Sequence, residues 1–192
     1  PYVAPPPDRP FAAQAGDPVP RLRVGILVHP AASHPGASHD PAVASAVGQT
    51  ADLLADLGHE VVEAHPAALD EGDFSAHYAP LIAVSTAQAL DAWAAELGRD
   101  LGPDDVEASN LLFAGWGRSL AATQYLSDLA WLHSWSRRVA RFWSSTSDGG
   151  EGYDLLVTPT LSRAPVRLGE LAADPADPAP TLAAVGNWVA FT

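Results

Sequence analysis

Tyr153–Thr160 reads YDLLVTPT. Its three consecutive apolar residues, Leu155, Leu156 and Val157, stand between Asp154 and the Pro159 break. A short apolar run bounded by turn signals reads as a strand buried on both faces. A polar, glycine-rich turn (Ser147–Gly152) precedes it, and Pro159 ends ladder pairing because it has no N–H to give. In an α/β sheet, ligands gather just outside the carboxyl ends of the strands. That places Thr158 and Thr160 at an edge where a ligand can sit.

Working outward from this strand, the chain supplies the rest of an α/β layer. Arg21–His29, RLRVGILVH, alternates Leu22, Val24, Ile26 and Val28 onto one face and reads as a second strand. The loop PAASHPGASH (Pro30–His39) follows. Asp40 is an N-cap with Pro41 at the first helical position. Val43, Val47, Thr50, Leu54 and Leu57 then recur at helical steps, and Gly58 fits the end of the helix. His59–Ala64 is another strand. The unit 21–64 is therefore strand–helix–strand, which pairs in parallel.

An acidic loop (65–73) leads to a helical block over 74–147. Its first helix carries Tyr78, Ile82, Ala89, Leu90, Trp93 and Leu97 and stops at Gly98. A shorter helix follows Pro103 with Val106, Leu112 and Phe113, and Gly115 and Gly117 are expected to interrupt it around Trp116. Ser119 is the expected cap of the longest helix, whose buried face is Tyr125, Leu129, Leu132, Val139 and Phe142. Arg137, Arg138 and Arg141 suit its C-terminal end. The segment 153–192 holds the YDLLVTPT strand, a Pro- and Asp-rich loop, and a short helical turn at 181–187. Residues 1–20 are proline-rich and read as a linker or arm.

Composition narrows the function. Hydrophobic residues make up 47% and charged residues 17%, the balance of a globular chain. A net charge of −13 argues against nucleic acid, whose phosphates need clustered cations. No run reaches the length of a membrane span. A cytoplasmic location is expected. With no cysteine there is no thiolate nucleophile and no cysteine-ligated zinc. His29, His34 and His39 could offer three imidazoles to zinc, but they read as solvated loop histidines, and His59 and His65 as structural. Asp70, Glu71 and Asp73, and Asp104, Asp105 and Glu107, read as solvated surface, the second set in the first turn of a helix. No metal site and no cofactor is expected. A serine triad would need a strained G-x-S-x-G turn, and none is present. The chain contains no Met and ends in the apolar run NWVAFT, which reads as a piece of a longer protein.

Four segments together resemble the C-terminal half of an amidase-signature enzyme. They are RLRVGILV followed by DPAVASAVGQTADLLADLGHEVVEAHP, then GRSLAATQYL, then YDLLVTPTLSRAPVRLG, and the terminal WVAFT. The resemblance covers residues 21–192. It implies a partial α/β/α fold around a large mixed sheet, and amide hydrolysis by a Ser–cis-Ser–Lys triad. In the family that lysine and both serines lie upstream of the part represented here. This chain has neither the Gly/Ser-rich segment nor any lysine. No catalytic residue carries over, and the chain alone is expected to be inactive.

The resemblance implies a role as pocket wall for a small-molecule amide substrate. Thr158, Pro159, Thr160, Trp188 and Phe191 are the substrate-binding candidates, with Trp116 behind them. Association with a second copy or with the missing catalytic part stays open. The alternative is a non-enzymatic small-molecule or protein-binding α/β module.

Overall fold

A computed structural model describes residues 6–30, 38–144, 152–172, 174 and 176–189. In chain order the elements are α1 (Phe11–Gln14), β1 (Arg23–Ile26), α2 (Pro41–Asp56), β2 (Glu60–Glu63), α3 (Phe74–Leu97), α4 (Ala108–Ser119), α5 (Ala122–Ala140), β3 (Leu155–Val157) and α6 (Ala179–Trp188). Short 3₁₀ turns occupy Ala67–Asp70 and Arg141–Trp143.

The strands form one parallel sheet in the order β2–β1–β3 among the described residues. The alternation in RLRVGILV does what its period requires. Val24 and Ile26 face α2 and pack with Val47, and Leu22, Val28, Leu54, Val61 and Val157 close around them. Asp40 caps α2 as its sequence position demands: its Oδ1 accepts the Ala42 N–H at 2.8 Å. The helix runs out just before Gly58, which has φ +92°.

β1, not β3, is the middle strand. Val24, Gly25, Ile26 and Leu27 are all buried, whereas Leu155 is half exposed and β3 takes the outer place. The apolar run of β3 thus covers one side of a sheet rather than being enclosed on both. Phe142 lies so close over β1 that a Cβ on Gly25 would stand 2.6 Å from its ring. Phe142 stacks on Tyr153 at 4.3 Å, and the Arg23 guanidinium lies 4.3 Å from the Tyr153 ring.

The helical block departs from its sequence pattern in three places. The buried residues of α3 are Pro80, Ala83 and Ala87, while Tyr78, Ile82, Trp93 and Leu97 face outward. Gly115 and Gly117 do not interrupt α4, which continues through both. A Cβ on Gly117 would lie 2.1 Å from the Ala83 carbonyl oxygen, so this glycine is where α4 meets the backbone of α3. Ser119 ends α4 instead of capping α5, and its hydroxyl donates to the Trp116 carbonyl at 2.7 Å.

On α5 the fully buried residue is Asp128. Its Oδ1 lies 2.8 Å from His77 Nδ1 on α3 and accepts from Gln124 Nε2 at 3.0 Å. Trp131 stacks on His77 at 4.3 Å. The other end of α5 holds the 67–71 turn: Trp135 Nε1 donates to Ala68 O at 2.9 Å, and Arg138 forms a forked ion pair with Glu71.

The carboxylates before α4 also sit differently from expectation. Asp104 and Asp105 lie in a turn that precedes the helix. Asp105 is clasped by Arg99 and accepts the Gly102 N–H at 3.0 Å. The Arg99 hydrogen bonds, helped by Gly102, pull its carboxyl far below the usual carboxylate range. Glu71 is likewise held low, chiefly by its hydrogen bond to Arg138.

Candidate functional site at the end of the third strand

The ladder ends where proline stops it. Leu27 N–H donates to the Val157 carbonyl at 3.0 Å, and the next residues turn away from the sheet. Pro159 is buried and Thr160 exposed. A cavity of about 440 Å³ opens here between β3 and the first turns of α2. Val43 and Val47 form one wall, and Val157, Thr158, Pro159 and Thr160 form the other. Leu161 and Asp40 complete its rim. Mostly apolar walls with a few polar groups are the usual make-up of a small-molecule site.

Ser162, which the sequence reading passed over, fixes the far side. Only 3% exposed, it lies with its Oγ 2.8 Å from Asn187 O and 3.0 Å from Trp188 O at the end of α6. Its N–H donates to the same Trp188 carbonyl at 3.0 Å, and its own carbonyl accepts the Asp40 N–H at 2.7 Å. One buried serine therefore joins the segment after β3, the cap of α2 and the C-terminal end of α6. A serine within an irregular, proline-flanked loop carries no local sequence signal for such a role.

Of the sequence candidates, Thr158, Pro159 and Thr160 line this cavity. Trp188 is brought to the same segment through Ser162. The Trp188 indole Nε1 is buried and finds no acceptor among the described residues. Trp116 lies elsewhere, on α4 beside Phe113 at 6.1 Å between rings, and does not line the cavity. Phe191 and His34 fall outside the described residues.

The hydroxyls nearest the turn after β3 are already engaged among the described residues. The Thr158 hydroxyl donates to the Pro159 carbonyl at 3.0 Å, and that of Ser162 is taken up by main-chain oxygens. No histidine lines it among the described residues, and Arg163 at its rim is paired with Glu170 at 2.6 Å. A hydroxyl nucleophile needs an adjacent base, and among the described residues neither of these two hydroxyls is bonded to one.

A larger groove of about 660 Å³ runs along α3 and the loop before α4, lined by Ile82, Ala89, Leu90, Trp93 and Leu97. It lies away from the strand ends and is rimmed by Asp105, whose charge Arg99 already satisfies. No helix among the described residues is long and apolar enough to cross a membrane.

Comparison with known proteins gives a consistent picture. The family model described as Amidase matches residues 1–192. The chain is 30% identical over 171 residues to a 6-aminohexanoate-cyclic-dimer hydrolase of Paenarthrobacter ureafaciens, covering 88% of this chain and 33% of that protein. A hydrolase of the same name from Pseudomonas sp. (strain NK87) matches with the same identity and coverage. The solved structure of a 6-aminohexanoate cyclic dimer hydrolase superposes with a TM-score of 0.79 at 28% identity, over 91% of this chain and 34% of that one. A bacterial aryl acylamidase of the amidase signature enzymes gives 0.64 at 18% identity, over 94% and 37%, a likeness of fold. The chain thus spans about a third of the length of the curated relatives it matches.

Proposed function

The chain belongs to the amidase family, and on that basis we propose that it is the C-terminal portion of an amidase-signature hydrolase. In this reading it builds one wall of the pocket in which a carbon–nitrogen amide bond is cleaved, and it is inactive by itself. The observation that supports the proposal is the mostly apolar cavity after β3, where the Thr158 hydroxyl is turned to the Pro159 carbonyl.

Amide hydrolysis needs a nucleophile beside a base and donors aimed at the developing oxyanion. The lysine of the family's triad has no counterpart here, since the sequence holds no lysine. The catalytic groups are then supplied by sequence outside these residues. Thr158, Pro159 and Thr160 are the proposed contact surface, and Trp188 backs it through Ser162. The hydrolases that match are named for a cyclic dimer of 6-aminohexanoate. Valine walls suit the methylene chain of such an aliphatic amide better than a charged group, so an aliphatic amide is the proposed substrate class.

Titration of the isotopically labelled chain with 6-aminohexanoate cyclic dimer, followed by amide chemical shifts, tests this assignment. Shifts at Val43, Thr158 and Thr160 are expected, at roughly millimolar affinity for a half-built pocket. They vanish in Val47→Trp, which fills the cavity. Shifts confined to the α3 groove, or none, would overturn the placement.

A further inference from the structure

We propose that His29, His65 and Asp70 form a binding site for a divalent transition-metal ion of the zinc type, with a coordination position left open to water or an added ligand. The site lies at the carboxyl ends of β1 and β2, one strand over from the β3 cavity, and is independent of the amidase reading.

The sheet register makes the site. β1 and β2 run parallel with Ile26 opposite Glu63, so the residues just beyond each strand emerge side by side. His29 leaves one strand and His65 the other. The turn Ala67–Asp70 then brings a carboxylate back to both. His65 Nε2 lies 2.9 Å from Asp70 Oδ2, and His29 Nε2 lies 3.9 Å from Asp70 Oδ1. One ligand atom from each of the three side chains falls within 4.8 Å of the other two. The imidazoles meet edge to face with centroids 4.6 Å apart.

Ligand atoms around tetrahedral zinc stand about 3.3–3.5 Å from one another, as bond lengths of about 2.0–2.2 Å require. Reaching that spacing takes a shift of about an ångström at the tips of side chains that are partly exposed. Three protein ligands with a fourth position open is the arrangement of zinc sites that retain water.

Two further features suit an ion. His29 Nδ1 lies 3.1 Å from the Pro30 carbonyl, which can only accept, so in the neutral ring Nδ1 is the donor and Nε2 has a lone pair free for the cluster. Fixing one ring nitrogen by a main-chain carbonyl is how metal-bound histidines are commonly oriented. The turn that carries Asp70 is itself anchored, by Trp135 on Ala68 O and Arg138 on Glu71. When the ion binds, neutral His65 carries its proton on Nδ1 and presents Nε2, and the Asp70 carboxylate offsets one of the two positive charges.

The test uses the chain purified without a polyhistidine tag and stripped with a chelator. Cobalt(II) is followed by its visible absorption and zinc(II) by calorimetry. One ion per chain is expected, with affinity falling about tenfold or more in each of His29→Gln, His65→Ala and Asp70→Asn. Zinc is expected to raise the thermal midpoint of the wild-type chain and not that of His65→Ala. The double substitution His34→Ala with His39→Ala leaves binding intact. His29→Gln alters a side chain that is 45% exposed, so it keeps the test valid if the other variants unfold. Absence of stoichiometric binding, binding unchanged in His29→Gln, or binding abolished by the His34/His39 pair would each overturn the site.

Discussion

The sheet unit and the helical pair of this chain bury different kinds of residue. Around β1 the interior is made of branched aliphatics: Val24, Ile26 and Val47 form a closed cluster under α2. Between α3 and α4 the interior is made of small residues, Ala83, Ala87, Ala114 and Gly117. Tyr78, Ile82, Trp93 and Leu97 of α3 lie outside, with Trp93 56% exposed. A sheet face gains stability by covering area, about 25 cal/mol for each Å² of apolar surface. Two helices whose contact is glycine on carbonyl gain it by close approach, so their cross-section has no room for large side chains. Apolarity along β1 therefore marks burial, and along the outer face of α3 it marks an open groove.

The contrast predicts a graded set of substitutions. Gly117→Val forces a side chain into the Ala83 carbonyl and should cost about 3 kcal/mol or more, read as a fall in the denaturant midpoint. A cost below 1 kcal/mol would show that α3 and α4 are not in backbone contact. Val24→Ala removes two methyl groups from the closed cluster and should cost about 2–3 kcal/mol by the same measurement. Gly115→Ala, with nothing within 4 Å of the added Cβ, should stabilise by about 0.5–1 kcal/mol. Opposite signs at two glycines two residues apart would isolate close approach from helix propensity.

Smaller effects come from the ion pairs. Glu71 and Asp105 are both held below their ordinary values by arginine partners, so each contributes stability that is present above the unfolded carboxylate pKa. That contribution is lost as pH falls through the depressed folded values. The wild-type chain should lose its advantage over the Glu71→Gln, Asp105→Asn double variant between about pH 5 and the acid limit. High salt should shrink the difference, because both pairs are solvent-exposed. Trp93→Ser should change stability by no more than about 0.5 kcal/mol. A larger loss would mean that the outer face of α3 is covered in the chain as it exists in solution.

The same contrast explains what the sequence made readable. Features governed by neighbours in the chain were legible: the alternation of Leu22 to Val28, the Asp40–Pro41 cap, and the stops at Gly58 and Gly98. Features governed by a distant partner were not. A glycine that breaks a helix and a glycine that admits another helix look alike until the partner is known, and Gly117 is the second kind. Ser119 is misread and Asp128 passed over for the same reason, since their hydrogen bonds are set by where α4 ends and where α3 packs. At the cavity, Thr158 and Thr160 follow from one local rule about strand ends, and Pro159 from the family resemblance. Ser162 depends on α6, and the meeting of His29 with His65 depends on strand register.

Placing a chain of the amidase family as pocket wall rather than catalyst comes down to one assay. The purified chain is incubated with 6-aminohexanoate cyclic dimer and with simple anilides, and released amine is quantified. No release above buffer is expected, because the sequence holds no lysine to serve the family's triad and the Thr158 hydroxyl donates to the Pro159 carbonyl. Turnover that follows the chain through successive columns and disappears in Thr158→Ala or Ser162→Ala would contradict it.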